Sequence, residues 1–206
     1  GNGVFATYRN TTPEISSGNV EYQFLDVTED EIKLNLPDEI HGLVYCPGTI
    51  NLKPFSRIRP ESFLKDYEIQ VVGAIKIIQE LLPKLKVGGA SVVMFSTVAV
   101  QKGFNFHSQV SASKGAIEGL TRSLAAELAP TIRINCIAPS LTDTPLAGKL
   151  LNTEEKRQSN GQRHPLKRIG TPADIAEATS FLLSDKSSWV TGQIIHIDGG
   201  MSSINN

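Results

Sequence analysis

Ser91-Val-Val-Met-Phe95, a helical stretch from Ser111 to Leu128, and Ile132-Arg-Ile-Asn-Cys-Ile137 follow one another along the chain. The two flanking runs are short, β-branched and apolar, the pattern of strands buried on both faces. The segment between them is too long for a strand and carries helical periodicity. Strand, crossover helix and strand predict parallel neighbours in a sheet covered by helices.

Working outward, the same alternation continues. Val4-Phe-Ala-Thr-Tyr8, Val20-Glu-Tyr-Gln-Phe-Leu25 and Gly42-Leu-Val-Tyr-Cys46 read as strands upstream, and Ile194-Ile-His-Ile197 as one downstream. Helices are expected from about Glu61 to Leu85 and from Pro172 to Leu183, the latter opened by Thr171 as N-cap and Pro172 at the first helical position. The whole, residues 1–206, predicts one doubly wound α/β domain with a mostly parallel sheet, helices on both faces, and no internal repeats or linkers. The Glu61 to Leu85 helix carries Phe63, Leu64, Tyr67, Ile69, Val71, Val72, Ile75, Ile77, Ile78, Leu81 and Leu82, more apolar surface than one buried face requires. It is expected either to be buried within one subunit or to form a subunit interface.

Composition narrows the function classes. With 20 Lys and Arg against 21 Asp and Glu, the chain has no net field to hold a phosphate backbone or anionic lipid, so neither nucleic acid nor membrane is an expected partner. The longest apolar runs are strand-sized, below the roughly 20 residues of a membrane helix. Two cysteines, Cys46 and Cys136, both fall in runs that read as interior strands, which argues against a disulfide framework and fits a reducing cytoplasm.

Several segments in register carry a resemblance. Ile134-Asn-Cys-Ile-Ala-Pro-Ser140, Arg168-Ile-Gly-Thr-Pro172, Phe181-Leu-Leu-Ser184, Val190-Thr-Gly-Gln193 and Asp198-Gly-Gly200 resemble the C-terminal half of short-chain dehydrogenases/reductases. Upstream, Ser113-Lys-Gly-Ala116 looks like the lysine half of that family's Tyr-x-x-x-Lys motif, and Ser96-Thr97 like its catalytic serine segment. The resemblance covers essentially the whole chain and implies a Rossmann-type fold, a nicotinamide cofactor, a small carbonyl or alcohol substrate and a homo-oligomer, dimer or tetramer.

Departures from the pattern matter as much. The family's first strand leads into a glycine-rich turn that holds the cofactor pyrophosphate. Gly1-Asn-Gly3 stands before a strand instead of after one and looks like the turn leaving the helix that would follow, so the first strand and its glycine-rich turn are expected to lie outside this sequence. The family's tyrosine, one helical turn before the lysine, is Val110, which cannot exchange a proton. By the same spacing the catalytic serine falls on Thr97, with Ser96 beside it, and the supporting asparagine on Gln70. The Asn-Asn-Ala-Gly turn appears as Tyr45-Cys46-Pro47-Gly48.

The remaining candidates each have two readings. Lys114 is a solvated helix lysine or, by the resemblance, the group that bonds the nicotinamide ribose. His107, about a turn before Val110, is an exposed loop histidine or the substitute proton donor, since histidine titrates closest to neutrality. Tyr45, Tyr67 and ordered water are other possible donors. Arg9 is an exposed arginine or the partner of an NADP 2′-phosphate, which makes NADP the expected cofactor with NAD possible. Asp26, followed by Val27, is a helix N-cap or the adenine-contacting aspartate. After the sixth family strand, Pro139, Ser140, Leu141, Thr142 and Thr144 resemble the loop that holds the nicotinamide, Thr144 on the carboxamide and Ser140 replacing a glycine, a swap that requires negative φ. About 145–165 is expected to be a small substrate lid. Two functions follow: an oxidoreductase with Thr97, Lys114 and His107 in the roles above, or a catalytically silent relative that senses cofactor or serves assembly, suggested by Val110 and Gln70 together.

Overall fold

The computed structural model describes residues 3–11 and 18–204; Gly1 and Asn2 of the Gly1-Asn-Gly3 turn lie outside the described residues. Strands β3 (Gly42–Tyr45), β4 (Ser91–Phe95), β5 (Arg133–Pro139) and β6 (Ile194–Ile197) form a parallel sheet in the order β3-β4-β5-β6. Strands β1 (Val4–Tyr8) and β2 (Val20–Phe24) pair in parallel with each other, Val4 opposite Val20.

The two-residue period of the strands sorts side chains between helix layers. Val92 and Met94 of β4, with Ile134 and Cys136 beside them on β5, pack with Ile77, Ile78 and Leu81 of α2 (Gly73–Val87) and Ile117 of α4 (Ser108–Leu128). Val93 and Ile137 point the other way, onto Leu182 of α6 (Pro172–Leu183). Both faces are covered, so these strands read as predominantly apolar runs.

Polar groups in this core are tied down. Asn135, fully buried, donates Nδ2 to the Val190 carbonyl at 2.9 Å and accepts from Gln193 N at 3.1 Å, which sets the approach to β6. Arg133, at the start of β5, donates Nη1 to the Leu182 carbonyl, Ser187 Oγ and the Val190 carbonyl. The opening of α6 is the expected one: Thr171 and Asp174 form a reciprocal capping box, and Arg168 grips Asp174 with two bonds of 2.7 Å.

Three expectations are corrected. Strand β3 ends at Tyr45, because Pro47 has no N–H for a ladder, and Cys46 is an exposed thiol rather than an interior strand residue; Cys136 is wholly buried. Helix α4 starts at Ser108, earlier than the periodicity suggests, because Gln109, buried, donates to the Ser62 carbonyl and accepts from Asn51 Nδ2, both at 3.1 Å. The long apolar helix is α1 (Pro60–Tyr67), a π-helical turn (Glu68–Val72), and α2. The hydroxyl of buried Tyr45 donates to the Ile69 carbonyl inside that turn. A Cβ on Gly73 would overlap the Tyr45 hydroxyl and come within 2.9 Å of Val27 Cβ. The face turned inward carries Asp66 and Gln70 as well as apolar groups, while Leu64 and Tyr67 are exposed. Among the described residues no helix is long and apolar enough to cross a membrane.

Candidate active site

Every candidate residue lies near the carboxyl end of a parallel strand or on the helix that follows, the edge where open α/β sheets bind ligands. At the centre stands a buried carboxylate that sequence reasoning missed. Asp66, 2% exposed, accepts from Gln70 Nε2 at 2.6 Å, from Ser113 Oγ at 2.7 Å and from the Thr49 hydroxyl. Three donors satisfy it without a direct ion pair. The signal available in the sequence was an aspartate one helical turn before Gln70, on the same helix face.

This network fixes Gln70. Its Nε2 is taken by Asp66, so Oε1 turns toward Gly48, where it is buried with no partner among the described residues. Seen from the position a Cβ would take on Gly48, Gln70 Oε1 lies at 3.4 Å and Lys114 Nζ at 3.6 Å. Burial holds the Lys114 ammonium down at about 8, offset in part by Cys136, the Asp66 carboxylate and Cys46. Among the described residues its Nζ donates to nothing. A donor and a buried acceptor therefore flank the Gly48 backbone, a fit for a ligand bearing sugar hydroxyls.

The two hydroxyls after β4 diverge. Ser96 is buried and donates to Glu118 Oε1 at 2.7 Å, so it braces α4 and does not face a ligand. Thr97 caps the short helix α3 (Val98–Gln101), accepting from Ala99 N at 3.3 Å, which leaves its proton free to be donated. Val110 is 5% exposed. Tyr45 is unavailable as a donor: its hydroxyl serves Ile69, and burial pushes its pKa well above the phenol range. His107 stands at the N-cap of α4, with Nδ1 2.8 Å from the Asn105 carbonyl oxygen and its ring 5.5 Å from that of Phe104. A carbonyl only accepts, so Nδ1 carries a proton, and in the neutral ring Nε2 holds the lone pair. At 1.5 Å per residue the seven positions to Lys114 span about 10 Å on one face of the helix, with Val110 between.

At the β1–β2 end, Arg9 and Asp26 meet. Arg9 Nε lies 2.7 Å from Asp26 Oδ2, a pairing the two separate sequence assignments did not foresee. Asp26 also accepts from Thr28 Oγ1 at 2.7 Å and Thr28 N at 2.9 Å, bonds that with Arg9 hold its carboxyl below the usual range. Arg9 remains half-exposed, and its two terminal nitrogens have no partner among the described residues. Val27 is buried against Gly73, so its side chain belongs to the core.

After β5, Pro139, Ser140, Leu141, Thr142 and Thr144 form a loop bridged at Thr142 to Gly170. The non-glycine residues with positive φ among the described ones are Phe106 (69°) and Lys167 (55°), so Ser140 meets its requirement. The 145–165 segment holds a 3-10 turn, Pro145–Leu150, and α5 (Glu154–Gln162). Behind the loop a cavity of about 370 Å3 is lined by Ser140, Thr142, His164, Arg168, His196 and Asp198 among others; it contains neither Thr97 nor Lys114.

Residues 23–202 match the family model described as enoyl-(acyl carrier protein) reductase. The chain belongs to the short-chain dehydrogenase/reductase family. Relatives in that family include tropinone reductase-like 3 of Erythroxylum coca, 39% identical over 68% of this chain and 54% of its own length. Another is 3-oxoacyl-(acyl-carrier-protein) reductase FabG of Thermotoga maritima, 34% identical over 89% of this chain and 78% of its own. The chain spans about half the length of the first of these and of two further curated relatives. A short-chain dehydrogenase family protein from Francisella tularensis superposes with a TM-score of 0.86 at 29% identity, covering 98% of this chain and 88% of that one. Short-chain dehydrogenases/reductases use a nicotinamide dinucleotide and act on small molecules.

Proposed function

We propose that the protein passes hydride between NADP(H) and a small carbonyl or alcohol substrate. The observation that carries this reading is the convergence of the Lys114 ammonium and the buried Gln70 oxygen on Gly48, in a chain of this family. The bound dinucleotide supplies or accepts the hydride. Lys114 bonds the ribose hydroxyls, the loop from Pro139 to Thr144 orients the nicotinamide, and Arg9, steadied by Asp26, faces the 2′-phosphate. Thr97 donates to the substrate oxygen, and His107, through Nε2, takes up or returns the proton that Val110 cannot. The 145–165 segment closes over the substrate. A homo-oligomer fits the exposed Phe181 on α6, Trp189 shortly after it and the exposed Leu64 on α1.

A second reading, a silent relative that binds cofactor without turnover, is favoured by one observation: Val110 is buried where the family's tyrosine would stand. Losing a general acid or base slows a reaction roughly 10²- to 10⁴-fold without abolishing it. Fluorescence titration with NADPH and NADH, followed by a carbonyl panel on wild type and His107→Ala, separates the readings. Tighter NADPH binding with turnover that collapses in His107→Ala supports the oxidoreductase. Binding without turnover supports the silent relative, and no binding of either nucleotide removes both.

A further inference from the structure

His164, two residues past α5, is 3% exposed and uses both ring nitrogens. Nδ1 lies 2.9 Å from the Asn160 carbonyl oxygen in α5, and Nε2 lies 2.8 Å from Ser140 Oγ in the loop after β5. Because a carbonyl only accepts, Nδ1 carries a proton; in the neutral ring Nε2 is then the acceptor and the Ser140 hydroxyl donates. The line continues: the Ser140 carbonyl accepts from Thr142 Oγ1 at 3.0 Å, and the Thr142 carbonyl from Thr144 Oγ1 at 3.5 Å. It runs from the carboxyl end of the 145–165 segment to the far end of the loop.

Other ties join the same two pieces. Arg157 of α5 makes bonds of 2.6 and 3.0 Å to Asp143, but that pair is solvent-exposed and screened. The Ser140–His164 bond is sheltered, and it exists only because a serine stands where the family resemblance implies a glycine. A glycine there would leave Nε2 of a buried imidazole without a partner. The serine and the histidine therefore make sense as a pair.

We propose that His164 is a positioning residue that, through Ser140, makes α5 and the loop after β5 move as one body, so that whatever orders the loop also orders the segment expected to cover the substrate. The coupling itself is a property of the protein alone. Its consequence, that nucleotide occupancy and closure are linked, rests on the oxidoreductase reading.

Amide hydrogen exchange on the protein without ligand tests the coupling. Ser140 stands in a cavity wall, so Ser140→Ala removes the hydroxyl without opening a packed core. The expected result is exchange in 154–162 faster by roughly tenfold in Ser140→Ala, a local opening equilibrium shifted at a distance from the substitution. Ser140→Thr, which keeps the hydroxyl, is expected to return exchange to the wild-type rate. Unchanged exchange in α5 of Ser140→Ala, or failure of the threonine to rescue, overturns the proposal. In a second arm, NADPH is expected to slow exchange in α5 of wild type but only around Thr144 in Ser140→Ala. If NADPH protects nothing in wild type, the oxidoreductase reading fails while the ligand-free arm still decides the coupling.

Discussion

Lys114 brings the site's electrostatics to a single atom. Its pKa, held at about 8 by burial, lies below that of a lysine in the unfolded chain, so the unfolded state binds more protons between pH 8 and about 10.5. The burial penalty on the ammonium is thus fully present below pH 8 and relieved as pH rises through that window. Wild type is expected to gain stability relative to Lys114→Met between pH 7 and 9.5, read as a narrowing or reversal of the difference in denaturation midpoints. Nucleotide binding should run the opposite way, since ribose hydroxyls favour the charged form: NADPH affinity is expected to weaken above pH 8 in wild type and to lose that dependence in Lys114→Met. Four positions away, Val110→Tyr restores a phenol on the lysine's face, and a rise in kcat of roughly 10²-fold or more is expected if proton transfer limits the reaction. A kcat unchanged by the phenol points to a proton route that does not need it. At the other end, Arg9→Ala is expected to cut the preference for NADPH over NADH by roughly ten- to a hundredfold, the worth of a charge-assisted bond, in paired titrations.

Among the elements, the helix after β3 shows where a one-dimensional pattern stops. Its apolar run was legible as a helix, and Pro60 and Val87 bound it within two residues of the expected ends. Its π-helical turn was not legible, because the cause is a hydroxyl from another element: Tyr45 reaches the Ile69 carbonyl only once β3 lies beside it. Asp66 was overlooked for the same reason, since its three donors come from residues 49, 70 and 113. Gly73→Ala forces a methyl onto Tyr45 and Val27 and is expected to destabilise the fold by about 1–3 kcal/mol in denaturant titration, as overpacking does. Tyr45→Phe in the same chain is expected to recover part of that loss, because it removes the oxygen the new methyl meets.

For the molecule as a whole, the sequence of strand and helix was readable because both faces of β4 and β5 are covered, so β4 announces itself as an apolar run and β5, after Arg133, as one broken only by the buried Asn135. The loop after β5 and the 145–165 segment were readable as candidate binding and covering pieces only through the family resemblance, since short polar loops carry no periodicity. What lay beyond reach was pairing across the chain: Arg9 with Asp26, Ser140 with His164. Assembly, too, depends on surfaces no periodicity describes. The single tryptophan, Trp189, is 99% exposed on the isolated chain, so blue-shifted emission in solution, lost on dilution and in step with a fall in sedimentation coefficient, is the expected sign that a second copy covers it. The two thiols offer a last consequence. Cys136 is sealed in the core with its thiol pushed up to about 12 by burial, while Cys46 is an exposed residue two positions from Gly48, its thiol raised by partial desolvation and drawn down by the Lys114 charge. The native protein thus carries one alkylatable reporter at the mouth of its own candidate site, and a maleimide footprint with and without nucleotide would map occupancy without any engineered label.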